Sequence, residues 1–237
     1  MNKLKKIKLK YSSSHIKLEN LINFIENHKS VTHLSFSLMI FEDHEYESVL
    51  REFSKLDQLV DLKINSQFLS HQSINKSMRQ LSANCLKLKS FRAVEYFTDL
   101  PLLQSFLTEV KKFKGLERLE FGFCHKNINE LNFGKYFNGL QSLTHLTIYI
   151  FNSFRMKKDL LKGIDKSLPN LVVFNIKVAE RNSIEVSEQT TVALTRLSRL
   201  ESLEITVNNE SIRDLIVSKV MKKCKKLKTI DIKVKKF

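Results

Sequence analysis

Apolar and polar positions along the chain follow two interleaved rhythms. A six-residue pattern, apolar-x-x-apolar-x-apolar, begins at Leu4, Val31, Leu59, Leu88, Leu116, Leu143, Leu171, Leu200 and Leu227. Successive starts lie 27 to 29 residues apart, and all 27 key positions are apolar, with Ala93 the only small one. Each hexamer alternates as a strand buried on one face does. Between hexamers the spacing turns helical, as at residues 17 to 28, 45 to 56, 101 to 113 and 211 to 224. Pro101 suits a first helical turn, and Ser211 suits an N-cap.

A second ladder fixes the register from the helical side. Ten residues before each start stand Leu21, Val49, Met78, Phe106, Phe133, Leu161, Thr190 and Val217, of which only Thr190 is polar. Three residues before each start stand His28, Leu56, Cys85, Phe113, Leu140, Leu168, Leu197 and Cys224, of which only His28 departs. One strand and one helix cannot bury their apolar faces alone, so neighbouring units must stack into a one-dimensional core. The expectation is an α/β solenoid of about nine repeats forming a single domain over residues 1 to 237. Its parallel strands line a concave sheet and its helices occupy the convex side, as in a horseshoe.

These segments, LKKIKL, VTHLSF, LVDLKI, LKSFRA, LERLEF, LTHLTI, LVVFNI, LESLEI and LKTIDI, resemble the leucine-rich-repeat superfamily over essentially the whole chain. The period near 28 is most similar to its ribonuclease-inhibitor-like class. A helix ending in Cys just before a strand, as in SANCLKLKSF and MKKCKKLKTI, is similar to the repeat regions of F-box proteins. The resemblance implies a protein-binding scaffold or adaptor, in its F-box form the substrate-recognition part of a ubiquitin-ligase receptor. The first repeat begins at Leu4, so no F-box segment is expected within this chain. The family's repeat places Asn or Cys shortly after the strand. Eight residues beyond each start only Cys124 and Asn208 fit, which predicts irregular strand-to-helix loops.

Composition narrows the alternatives. With 42% hydrophobic residues and no long polar tract the chain has material for a core. Three widely spaced cysteines without a C-x-x-C pair, no signal-like start and no long apolar run predict an intracellular protein, cytoplasmic or nuclear, with no transmembrane segment. The net charge of +15 is concentrated at the ends: residues 1 to 10 carry +5, residues 222 to 237 carry +7, and the remainder +3. The basic groups singled out are Lys5, Lys6, Lys8, Lys222, Lys223, Lys225 and Lys226. Lysines on a terminal strand discourage edge-to-edge aggregation. They also permit nucleic acid or an anionic membrane surface as a partner.

The third and fifth hexamer residues and the one two further on should face away from the core. The last of these rows reads Lys10, Ser37, Asn65, Val94, Gly122, Tyr149, Lys177, Thr206 and Lys233. Within the outward set Arg92, Arg118, Glu120, His145, Tyr149 and Lys177 group near the middle. Arg and Tyr are the residues of interface hot spots, so these six form the candidate partner site on the concave face.

Chemistry finds little foothold. There is no Gly-rich phosphate loop and no metal-ligand spacing, so neither enzymatic activity nor a cofactor or metal is expected. Cys124 beside His125 is the one close Cys/His pair, and adjacent residues of an extended chain point apart. The acids Glu42, Asp43, Glu45 and Glu47 fit a helix start. The function expected is therefore holding another protein. Binding of a polyanion through the Lys-rich ends and inhibition of a partner enzyme are the alternatives, and end-to-end self-association is open to the bare terminal strands.

Overall fold

The computed structural model of the chain describes residues 4–10, 18–37, 43–65, 71–97, 100–124, 132–151, 160–179 and 186–235. Its strands are β1 (Lys6–Lys10), β2 (His33–Ser37), β3 (Asp61–Asn65), β4 (Ser90–Phe97), β5 (Arg118–Cys124), β6 (His145–Phe151), β7 (Val173–Val178), β8 (Ser202–Val207) and β9 (Thr229–Val234). Between them lie α1 (Leu18–Glu26), α2 (Asp43–Phe53), α3 (His71–Asn84), α4 (Leu100–Val110), α5 (Phe133–Tyr136), α6 (Ile164–Ser167), α7 (Glu188–Thr195) and α8 (Glu210–Lys223). The nine strands form one parallel sheet in sequence order, with β1 and β9 at its edges. Strand and helix alternate throughout, so the architecture is α/β and solenoid-like.

Every strand begins at the third hexamer residue, and backbone hydrogen bonds explain why. The first hexamer residue closes a turn onto the carbonyl three residues earlier, as Val31 N–H donates to His28 and Leu143 N–H to Leu140. The carbonyl of the second residue then accepts two N–H groups from the following unit. Lys5 O takes those of Thr32 and His33, and Glu117 O those of Thr144 and His145. The same pair of donors recurs at all eight junctions. The first apolar residue thus plugs the core from a turn, and the fourth and sixth do so from the strand.

In the seven interior units all three of these positions are buried, including Phe36, Phe91, Phe121 and Phe174. At the ends burial is incomplete: Ile7 is buried, but Leu4 is 41% exposed, and Leu9, Leu227, Ile230 and Ile232 are only half-buried. The helical ladder holds with two changes. Thr190 is fully buried, where its hydroxyl accepts from Ser187, the N-cap of α7. On α8 the buried face is Ile216 and Val220, and Val217 is only half-buried.

Three further expectations are corrected. The N-cap of α8 is Asn209, whose side chain accepts from Ile212 N–H at 2.8 Å, and not Ser211. Units five and six carry a single helical turn each among the described residues, in place of a long helix. There Gly134 packs so closely on the carbonyl of Lys162 that a Cβ could not be accommodated, and Gly163 enters α6 at φ +77°, a conformation that favours glycine. Gly122 and Thr206, expected to face outward, are buried. His125 and Glu42 lie outside the described residues. Among those described, no helix is long and apolar enough to cross a membrane.

Candidate functional site

On β2, β3 and β6 the residues between the buried ones stand half-buried on the sheet face away from the core. Parallel register stacks equivalent positions side by side, so one hexamer position becomes a row across the sheet. The fifth-position row runs Lys8, Ser35, Lys63, Arg92, Glu120, Thr147, Asn175, Glu204 and Asp231.

Four of the six residues singled out in the sequence are joined on this face, two from that row and two from the row two residues further on. Arg92 Nε lies 3.4 Å from Glu120 Oε2, close enough for an ion pair though not aligned as a hydrogen bond, since that N–H finds no acceptor among the described residues. The other oxygen of Glu120 accepts from the Tyr149 hydroxyl at 2.7 Å. Tyr149 pairs in register with Gly122, which has no side chain, so its ring can lean across β5 to reach Glu120. Lys177 Nζ sits 5.9 Å from the centre of the Tyr149 ring, within reach of a cation–π attraction.

The chain of contacts continues past the expected site. Lys177 Nζ is 3.5 Å from Glu204 Oε2, and Lys233 donates to Glu204 Oε1 at 2.8 Å while lying 3.2 Å from Asp231. Phe151 stacks nearly parallel to Tyr149, with ring centres 6.3 Å apart. The sequence put Glu204 and Lys233 on the correct face without nominating them. The signal for them was diagonal: Lys177 and Glu204 are 27 residues apart, one repeat.

Electrostatics follow from this geometry. Partial burial pushes the Tyr149 hydroxyl well above the ordinary phenol range, and the Glu120 hydrogen bond and charge add to the rise. Burial opposes ionisation of Glu204, but the Lys233 hydrogen bond and the Lys177 and Lys233 charges hold its carboxyl below the usual range. Lys233 is correspondingly raised, first by its hydrogen bond to Glu204.

Arg118 and His145 are register partners beside this row. Arg118 is exposed, and among the described residues no carboxylate lies within ion-pair distance of it. The Thr144 hydroxyl donates to Glu117 O at 3.0 Å and lies 2.8 Å from His145 Nδ1. Burial and then the Arg118 charge lower the His145 pKa, against an opposing pull from Glu117.

The seven singled-out lysines do not form one site. Lys5, Lys6 and Lys8 lie at the β1 edge, and Lys222, Lys223, Lys225 and Lys226 cluster around the end of α8 and the turn into β9, the opposite edge strand. All seven are exposed. The side chains of Lys10 and Val94 lie outside the described residues. No family of known proteins matches the chain, and no curated sequence matches it.

Proposed function

We propose that the chain is a leucine-rich-repeat horseshoe of the ribonuclease-inhibitor-like class and acts as a protein-binding scaffold. Its partner lies on the strand face, centred on Arg118, His145, Tyr149 and Lys177. The observation that carries this reading is the chain of contacts Arg92, Glu120, Tyr149, Lys177, Glu204 and Lys233, linked across six strands by ion pairs, two hydrogen bonds and one cation–π contact. Side chains already immobilised lose little entropy on binding, which favours recognition by a preformed surface. Arg118 and the Tyr149 ring supply the anchors.

The finer role is substrate recognition within a ubiquitin-ligase receptor, as the resemblance to F-box repeat regions implies. Affinity capture from the native cell, comparing the wild type with Arg118→Glu and Tyr149→Ala, tests both levels. A partner retained by the wild type and lost from both variants, with far-UV circular dichroism unchanged, supports the scaffold. Recovery of ligase subunits supports the receptor. A set of captured proteins identical for all three chains counts against the site.

A second reading, binding of nucleic acid or an anionic membrane through the ends, is favoured by the exposed lysines there. Among the described residues, none of Lys5, Lys6, Lys8, Lys222, Lys223, Lys225 and Lys226 has a carboxylate within ion-pair distance. Such binding weakens steeply with salt. Replacing Lys222, Lys223, Lys225 and Lys226 by Glu abolishes it if the C-terminal end carries it, and unchanged binding to a duplex or an anionic vesicle removes that end from consideration.

A further inference from the structure

The strand face is electrostatically divided. From β5 to β9 its cations, apart from Arg118, are matched: Lys177 and Lys233 share Glu204, and Arg92 meets Glu120 from the boundary strand β4. From β1 to β4 the balance is different. A depression of about 240 Å³ opens there, lined by Lys6, Lys8, His33, Asp61, Lys63 and Arg92. Among the described residues, Lys6, Lys8 and Lys63 have no carboxylate within ion-pair distance. Like charges held in one depression repel, and an anionic partner relieves that repulsion.

The spacing of these groups selects the partner. Lys8, Ser35, Lys63 and Arg92 are register neighbours, one per strand. Strands lie about 4.8 Å apart, so the four donors fall near 0, 5, 10 and 14 Å along a line across the sheet. Carboxylates on one face of an α-helix, at i, i+3, i+7 and i+10, fall near 0, 4.5, 10.5 and 15 Å from the rise of 1.5 Å per residue. Phosphates spaced along a nucleic-acid strand carry one sign only and offer nothing to Asp61, which stands among the cations. A polypeptide can set a donor opposite that carboxylate.

We propose that the β1 to β4 half of the strand face binds the acidic face of a partner's α-helix, laid across the strands with its carboxylates on Lys8, Lys63 and Arg92 and a polar contact at Ser35. This rests on the strand face being a protein-binding surface and names the chemistry of what it holds.

The test uses the full chain and two fluorescein-labelled, alanine-based helical peptides of equal composition. One carries Glu at i, i+3, i+7 and i+10; the other spreads the same Glu residues around the helix. Fluorescence anisotropy at low ionic strength is expected to show the one-faced peptide binding about tenfold tighter. Lys63→Glu or Lys8→Glu should each weaken it by about tenfold or more, and Lys222→Glu should leave it unchanged. Both variant positions are on the solvent side of the sheet, and circular dichroism verifies that they fold. Equal binding of the two peptides, or a short single-stranded oligonucleotide binding at least as tightly as the one-faced peptide, overturns the proposal. A native partner lost with Arg118→Glu but kept with both Lys8→Glu and Lys63→Glu overturns it too, while leaving the scaffold reading standing.

Discussion

Cys85 and Cys224 occupy the same repeat position, three residues before a hexamer, and the structure gives both one task. Cys85 Sγ lies 3.7 Å from the carbonyls of Phe53, the last residue of the preceding helix, and of Leu56 in the turn after it, and Cys224 Sγ lies 3.6 Å from that of Leu194. The last carbonyls of a helix have no partner within it, and a buried thiol is a small apolar group that can still donate. Burial, and to a lesser degree Asp57, pushes the Cys85 thiol up to about 12, and burial raises Cys224. Thiolate is the reactive form. A thiol reagent at neutral pH should therefore modify Cys124, the half-buried cysteine, and reach the other two only on unfolding. Rapid reaction of all three native thiols would contradict this.

His145 gives the second residue-scale prediction. Its pKa is lowered in the folded chain, so the folded state binds fewer protons than the unfolded one. The stability this confers is present above the unfolded value near 6.5 and is lost as pH falls through the folded value. Arg118→Ala removes the charge that opposes protonation, and the His145 Hε1 titration followed by NMR should then move upward. Unchanged titration would leave burial as the whole cause.

At the scale of the element, the helix-to-strand junction was legible and the strand-to-helix junction was not. The first junction places one apolar residue at each of three fixed positions, and all eight copies use the same hydrogen bonds, so the sequence pattern has a one-to-one structural cause. The second is set by side-chain caps that change from unit to unit: Asn132 for α5, Ser187 for α7 and Asn209 for α8. Asn209 and Ser211 are both good caps by type, and only the backbone decides between them. Asn209→Ala is expected to lower stability by about 1 kcal/mol, and Ser211→Ala by far less, in urea denaturation. The thin helices of units five and six were hidden for a similar reason. Gly134 looks ordinary in sequence, yet its missing side chain lets α5 sit on the backbone of Lys162 and Gly163. Gly134→Ala should destabilise by about 1–3 kcal/mol. Gly115→Ala, where a Cβ meets nothing within 4 Å, serves as the matched control and should be near neutral. The candidate site divides in the same way. Which residues face outward follows from strand alternation, whereas the joining of Lys177 to Glu204 and of Tyr149 to Glu120 depends on side chains reaching diagonally across strands.

Across the whole molecule the contacts run almost entirely between sequence neighbours: each strand pairs with the next, and each helix packs on the next. In such an array stability is a sum over units and the interfaces between them, so units with one neighbour open more readily than units with two. The burial pattern agrees. Ile230, Ile232 and Val234 of β9 are half-buried where their counterparts on β8 are fully covered, and Leu9 of β1 is likewise half-buried. Charge acts in the same direction, because Lys5, Lys6 and Lys8 crowd one end and Lys222, Lys223, Lys225 and Lys226 the other. Amide hydrogen exchange followed by mass spectrometry should therefore be slowest in β5, β6 and β7 and fastest in β1 and β9. Raising the salt from about 0.01 to 0.15 M shortens the Debye length from about 30 to 8 Å, which screens repulsion within each lysine cluster. Exchange at the two ends should then slow while that of β6, whose core residues are sealed between neighbours, stays constant. Uniform protection from β1 to β9 would mean that the chain opens as one cooperative body and that its ends are held by something other than their own unit's packing.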